Sequence, residues 1–465
     1  MRREEKIPVV AVFDVGKTNK KLFLFDEQYR VVFERSARFI ETVDEDGDPC
    51  ENLDSLRLSI FDSLREVFAN EKFELRAINF ASYGASLVYI DEKGTPLTSL
   101  QNYLKSYPQE LKRAFYQKYG GEKVFAAKTA SPVLDSLNSG MQLYRLKKEK
   151  PQIFERVKYA LHLPQYLSFL LSGKAYADKT SLGCHTNFWD FENDDYHQWV
   201  SKEAILEKMA PIMPSDHVSP ATFPGSSYNV GVGLHDSSAA LIPYLKSFKE
   251  PFVLLSTGTW CISLNPFNQR ALTSEELSQD VLCYMQYEGK AVKASRLFSG
   301  FAYEQQIKRI ANHFGCDVLR FRNADYHQDR VKPLGTVNVK TENWRSLPFA
   351  ERDLGDFKDE MAAYDQLMLD LVIQQYHSTK LVLDGSSAKR IFVDGGFSKN
   401  AVFMNLLAAI FPNYEVYAAH MPQATAIGAA LVIHEVWNTK PLPNDIIELK
   451  LYTPHPTRIE NEPTI

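Results

Sequence analysis

The sequence predicts an α/β fold of two domains that face one another across a cleft, and three observations predict it. The chain has 465 residues, more than one hydrophobic core of ordinary size organises, so two domains are expected. Apolar runs of strand length alternate with stretches of helical spacing, the pattern of a sheet covered by helices. The pattern also restarts halfway. VVAVFDVGKTNKKLFLFD (9–26) and FVLLSTGTWCISLN (252–265) each read strand, polar loop, strand, while LRAINFASYGAS (75–86) and KRIFVDGGFS (389–398) are each a strand running into small residues. Two copies of such a unit, each with a small-residue loop at a strand end, set those loops on one cleft. The charged segment LKSFKEP is the expected division, giving domains 1–245 and 246–465.

Taken in order, the first hairpin is followed by VVFERSARFIETV, read as further strand, and by the acidic turn DEDGDP. Leu56, Leu58, Ile60, Leu64 and Val67 stand at partly helical spacing and predict an amphipathic helix over 53–69. LVYIDEKGTPL reads as a second hairpin with Lys93 and Gly94 at its tip. Residues 109–150 and 152–171 are mainly helical, and Gly173 stops the last helix. TSLGCHTNFWDFENDDYHQW follows neither period and reads as a loop whose aromatics form local core. VGVGLHDSSAALIPY brings small residues around a His-Asp pair and then turns helical. In the second half, helices are expected at YEQQIKRIANHFG and over 357–383.

Composition excludes several classes of function. With 45% hydrophobic and 24% charged residues and a formal net charge of −5, the chain lacks the basic surface of a dedicated nucleic-acid binder. No apolar run reaches the roughly 18 residues that span a bilayer, and the N-terminal run is cut by Asp14, too early for a signal peptide. Five cysteines, Cys50, Cys184, Cys261, Cys283 and Cys316, lie without CxxC or CxxH spacing. That distribution fits reduced thiols in a cytoplasmic protein better than a disulfide framework or a zinc site. Neither nucleic acid nor membrane is expected as a partner, and a homodimer stays open.

Three loops carry the chemistry: DVGKTNKK, STGT and DGGFSKN. Each follows an apolar strand and offers backbone N–H groups to anionic oxygen. Asp14, Gly16, Lys17, Thr18 and Lys21 crowd the first, a set suited to a metal-bound polyphosphate, although turn chemistry alone accounts for Asp and Gly. None has the spacing of a P-loop or of a dinucleotide fold. Asp236 reads either as a helix cap before SSAAL or as a catalytic carboxylate.

With these loops in this order, followed by PQATAIGA and IGAALVI (427–433), the chain resembles the FGGY carbohydrate kinases. They stand within the wider group of actin-like, hexokinase-like and Hsp70-like ATPases. The resemblance implies two actin-like (ribonuclease H-like) domains and ATP-dependent phosphorylation of a sugar with Mg²⁺. It implies Asp14 as the carboxylate facing metal and transferred phosphoryl group, and Asp236 as the base. It implies nucleotide contacts at Gly16, Lys17, Thr18 and Lys21, at Thr257, Gly258 and Thr259, and at Gly395, Gly396 and Asn400. Lys17 stands where many members have Thr, and Lys21 where Arg is usual.

The acceptor is less legible. Many members read the sugar with a Trp-x-Asp-x-Arg segment, whereas the corresponding LQNYLKSY (100–107) has neither Asp nor Arg. Tyr83, Gln101, Asn102, Tyr103, His185 and His235 are the substrate candidates, with Ser86 and Trp189 behind them. STGTW, with Trp260, looks like the branch containing rhamnulokinase and fuculokinase, so a ketose such as L-rhamnulose or L-fuculose is expected. The missing reader leaves a non-catalytic nucleotide- or sugar-binding sensor as the alternative.

Overall fold

The structure, a computed structural model, describes residues 6–453 apart from 18, 224–226, 323 and 332–342. Two seven-stranded sheets organise it. The first contains β1 (Ile7–Val15), β2 (Lys20–Phe25), β3 (Val31–Ala37), β4 (Phe73–Ser82), β5 (Val218–Pro220), β6 (Asn229–Gly231) and β7 (Leu234–His235). Its order is β5-β6-β4-β1-β2-β3, with β7 also on β4. β1 is antiparallel to β2 and parallel to β4.

The second sheet contains β8 (Phe252–Thr257), β9 (Cys261–Asn265), β10 (Val281–Met285), β11 (Ala291–Leu297), β12 (Arg390–Gly395), β13 (Glu415–His420) and β14 (Glu448–Tyr452), in the order β10-β11-β9-β8-β12-β13-β14. β8 is flanked by antiparallel β9 and parallel β12, as β1 is by β2 and β4. The duplication expected from the sequence is therefore one of strand order and direction.

β1 reads as an unbroken apolar run because both its faces are covered. Val9, Ala11 and Phe13, with Leu22 and Leu24 of β2, face the helix α1 (Leu53–Ala69), which buries Leu56, Ile60, Leu64 and Val67. Each of these side chains contributes roughly 1.5–3 kcal/mol on burial. Asn52 caps α1 by accepting from Ser55 N at 2.9 Å. Val10 and Val12, with Phe23 and Phe25, face the opposite way, towards α2 (Asp236–Ser247). The first half also has helices Gln109–Lys118, Ser139–Glu149 and Leu163–Ser172, and the second half has α3 (Ser299–Phe314), α4 (Glu360–Leu383), α5 (Ala401–Ile410) and α6 (Ala424–Val432). α4 and α5 build the core of the second half against β8 and β12.

α2 and α6 lie between the two sheets. Ala426, Ala429 and Ala430 of α6 pack with Val10 and Val12 of the first sheet and with Ala239 of α2, while Leu241 and Tyr244 of α2 pack with Phe252, Leu254 and Phe392 on the second. The two helices touch at Gly428, where a Cβ would stand 1.8 Å from Ala239 O, so only glycine fits. Asn79 of β4 donates to Ala429 O at 2.8 Å, tying α6 to the first sheet.

Some expected elements differ. The hairpin at LVYIDEKGTPL turns as expected at Lys93 and Gly94, with Asp91 N donating to Thr95 O at 3.0 Å and Leu97 N to Tyr89 O at 2.8 Å, but its returning arm is a single bridge at Pro96, and the ladder partner of Leu87–Ile90 is Tyr159–His162. Pro96 has no N–H to extend a returning strand. The strand after the first hairpin stops at Ala37. The helix expected over 357–383 begins at Glu360, because Asp359 caps it by accepting from Ala362 N at 2.8 Å. Trp189 and Trp199 are buried in local core, as read from the sequence. All five cysteines are free thiols, and among the described residues no helix is long and apolar enough to cross a membrane.

Candidate active site

Asp14 stands near the end of β1, directly across from Lys21 of β2, and the chain then turns tightly, with Gly16 N donating to Asn19 O at 2.9 Å. Asp236 opens α2. The cap position falls on His235 rather than on Asp236, because His235 keeps extended dihedrals while Asp236 is already helical. Asp236 Oδ1 accepts from Ser237 N at 2.6 Å and from Ser237 Oγ at 3.3 Å, and lies 3.2 Å from His235 Nε2. These contacts all fall on Oδ1.

Burial, and after it the charge of Asp236, pushes the Asp14 carboxyl up to about 7, while Lys21 acts to lower it. A carboxylate whose proton affinity is raised by a second nearby carboxylate is also a place for a cation. Among the described residues no group of three or more His, Cys, Asp or Glu side chains is placed to hold a metal ion. The set thus fits Mg²⁺, which is held by one or two carboxylates together with phosphate oxygens, rather than a metal caged by protein alone.

The second and third loops are joined through Thr257. Its hydroxyl donates to Asp394 O at 2.5 Å and accepts from Phe397 N at 3.0 Å, and its carbonyl accepts from Gly396 N at 2.9 Å. Gly395, at φ +90°, passes so close that a Cβ would stand 1.9 Å from Thr257 O. Thr257 and the Gly396 amide are thereby committed to each other, leaving Gly258 and Thr259 exposed at the tip, with Trp260 beside them. Asn400 caps α5 through Phe403 N at 3.0 Å and donates to Tyr364 Oη at 2.7 Å. Asp394 accepts from Tyr244 Oη at 3.0 Å, and burial raises its carboxyl.

Lys17 and Lys21 are each drawn to a carboxylate, Glu41 and Glu34 respectively, both at 2.9 Å. Thr18 lies outside the described residues. The buried cation of this loop is Lys20, whose Nζ lies 2.6 Å from Glu51 Oε1 and donates to Lys17 O at 2.9 Å. Lys20 and Glu51 were not singled out in the sequence. Alternation along β2 puts Lys20 on the face opposite Lys21, but nothing local announces its partner at position 51.

Among the substrate candidates, Tyr83 donates to Glu51 Oε2 at 3.3 Å and meets Tyr103 edge-on at 6.0 Å between ring centres. The Tyr103 hydroxyl is pushed up by burial, with Lys17 and Asp236 acting on it in opposite senses, which places it within reach of both charges. The side-chain amides of Gln101 and Asn102 are engaged with Ser136 Oγ at 3.5 Å and Pro49 O at 3.1 Å. His185 and His235 are buried against Tyr284 of β10, and burial is the main cause that lowers both imidazoles, His185 to about 3. His235 Nε2 also lies 2.9 Å from Cys184 Sγ. Both histidines are thus neutral parts of a floor shared by the two halves. Ser86 is buried beneath Tyr83, and Trp189 belongs to the core away from these loops.

Paired sheets of matching topology, each with a loop after its central strand, are the architecture of the actin-like, ribonuclease H-like class of ATPase fold. Residues 9–240 match the N-terminal domain of the FGGY family of carbohydrate kinases and residues 249–441 its C-terminal domain. The chain belongs to the FGGY family of carbohydrate kinases. It is 24% identical over 272 residues to a rhamnulokinase of Halalkalibacterium halodurans, a match that spans 54% of each sequence, so about half the length of that relative. Among solved structures it is similar to a carbohydrate kinase from Novosphingobium aromaticivorans (23% identity, TM-score 0.78, 97% of both chains). It is also similar to a xylulose kinase from Rhodospirillum rubrum (17% identity, TM-score 0.78, 96% of this chain and 94% of the other). At these identities the likeness establishes the fold.

Proposed function

We propose that the chain is an ATP- and Mg²⁺-dependent carbohydrate kinase that transfers the γ-phosphoryl group to a hydroxyl of a ketose. A 6-deoxyhexulose of the L-rhamnulose or L-fuculose kind is the leading acceptor. The observation that carries this reading is the pair Asp14 and Asp236, one at the end of β1 and one opening α2, close enough for the second to raise the first. A sensor without catalysis has no need of both. The same proposal divides the work between residues 1–245, which hold the sugar and Asp236, and residues 246–465, which hold the nucleotide. It places the protein in the cytoplasm, in keeping with five free thiols.

Mg²⁺ arriving with the nucleotide supplies charge neutralisation for the transferring group. The chain's own residues do the rest. Asp236 has Oδ1 occupied by Ser237 and His235, which leaves Oδ2 to take the proton of the acceptor hydroxyl. Such a positioned base contributes roughly 10² to 10⁴-fold. Asp14 holds the metal side, Gly16 and Gly258 keep their turns tight with their own N–H groups bonded to Asn19 O and Trp260 O, the exposed Thr259 offers its backbone N–H, and Asn400 and Gly395 shape the nucleotide end. Tyr83 and Tyr103 wall the sugar side.

A panel of ketoses, polyols and aldoses assayed for ADP release tests the reading. Sugar-dependent release with at least one ketose is expected. A chain that binds ATP and releases no ADP with any acceptor contradicts it.

A further inference from the structure

The segment LQNYLKSY, where the sequence departs from the family pattern, is clipped along its length to the acidic turn at 44–49. Ser99 N donates to Glu45 Oε1 at 2.7 Å, Leu100 bridges Glu51, and Asn102 Nδ2 donates to Pro49 O at 3.1 Å. Lys105 Nζ then lies 2.5, 2.8 and 2.9 Å from carboxylate oxygens of Asp44, Asp46 and Asp48. The turn is shaped in advance, since Asp44 Oδ1 accepts the N–H groups of both Asp46 and Asp48 at 2.9 Å. Carboxylates on alternate residues of a Gly-containing turn converge on one point, the device by which loops gather a hard cation. Here the point is taken by an ammonium whose side chain is only 5% exposed.

Between these clips lies Tyr103. Its ring packs edge-on to Tyr83 at 6.0 Å and sits 6.0 Å from the ammonium of Lys17, three residues beyond Asp14 on the first loop. Asn102 Oδ1 accepts from Leu104 N at 3.0 Å, so the backbone on either side of Tyr103 is fixed as well.

We propose that Lys105 is a positioning residue for the acceptor sugar, a tethered cation of the Asp44–Asp46–Asp48 turn that holds Tyr103 at the sugar site and so sets sugar affinity. This rests on the kinase reading of Asp14 and Asp236. The charged pair missing from the sugar-reading segment is replaced in function by one that lies behind it. Lys105 does not touch the sugar; it acts through Tyr103.

The test measures sugar-dependent ADP release by the full chain on the best acceptor of the panel, for wild type, Lys105→Met, Tyr103→Ala and the double variant. Lys105→Met is expected to raise the sugar KM about tenfold or more, with kcat and the KM for ATP changed by less than about threefold. In the Tyr103→Ala background the same substitution should add little, because both act on one contact. Lys105→Arg, which keeps the cation, should recover most of the sugar affinity. Asp46→Asn with Asp48→Asn, on carboxylates that are 42% and 48% exposed, is a milder disruption expected to shift the sugar KM in the same direction if Lys105→Met does not fold. An unchanged sugar KM, or a loss that adds in full to that of Tyr103→Ala, overturns the assignment. A wild-type chain with no turnover on any sugar overturns the kinase reading and this assignment with it, whereas a working enzyme indifferent to Lys105→Met overturns this assignment alone.

Discussion

The carboxylate of Asp236 bears on the protonation of Asp14: burial and then that neighbouring charge hold the Asp14 carboxyl at about 7, despite Lys21 across the hairpin. A proton and a divalent cation therefore compete for Asp14 near neutral pH. The concentration of Mg²⁺ needed for half-maximal activity should rise as pH falls below about 7, approaching tenfold per unit. In Asp14→Asn that dependence should vanish along with most of the activity. Magnesium titrations of initial rate at fixed ATP, from acid to mildly alkaline pH, check this.

The same shift has a consequence for stability in the absence of metal. A carboxyl raised from 3.8 to about 7 makes the folded chain bind its proton more tightly than the unfolded chain does. Its contribution is complete below the unfolded value and is lost as pH rises through the folded one. Urea midpoints of wild type minus those of Asp14→Asn should therefore decline between pH 4 and pH 7 and level off above. A flat difference would contradict the burial of an unpaired Asp14.

Thr257 ties two loops with one hydroxyl. Thr257→Val keeps the shape but leaves Phe397 N and Asp394 O without that partner, at a cost of roughly 1–3 kcal/mol for each group left buried and unsatisfied. The KM for ATP should rise, since Gly395 and Gly396 are held by the same joint, while Thr257→Ser should restore it. Nucleotide titrations of the two variants separate these outcomes.

Contact between α2 and α6 depends on a missing methyl. Gly428→Ala sets a Cβ against the Ala239 carbonyl, backbone on backbone, and should destabilise by about 1–3 kcal/mol or more. As α2 carries Asp236, kcat should fall too. Chemical unfolding and ADP release on the same preparation measure both.

How much of this was legible follows from where the signals lie. β1, β2, β8, β9 and β12 announced themselves as apolar runs bounded by small-residue loops, because their faces are buried and, at Gly395, because the backbone passes Thr257 O at a positive φ. Asp14 and Asp236 stood out as lone carboxylates at such boundaries. Lys20 and Lys21, adjacent in sequence, could not be sorted without knowing which face of β2 meets Glu51 and which meets Glu34. Gln101 and Asn102 look like sugar readers, yet their amides serve Ser136 and Pro49. Asn400 likewise serves α5 and Tyr364. Lys105 meets partners some sixty positions earlier, beyond any local period. Apart from the Asn400 cap on Phe403, three residues on, these contacts are long-range, and sequence patterns report local geometry.

The most direct measurement is sugar-dependent ADP release by Asp236→Asn beside wild type, with nucleotide affinity measured in parallel. The account predicts a loss of roughly 10² to 10⁴-fold in kcat with ATP bound nearly as tightly as before. Turnover close to that of wild type would contradict it, because no other carboxylate opens α2.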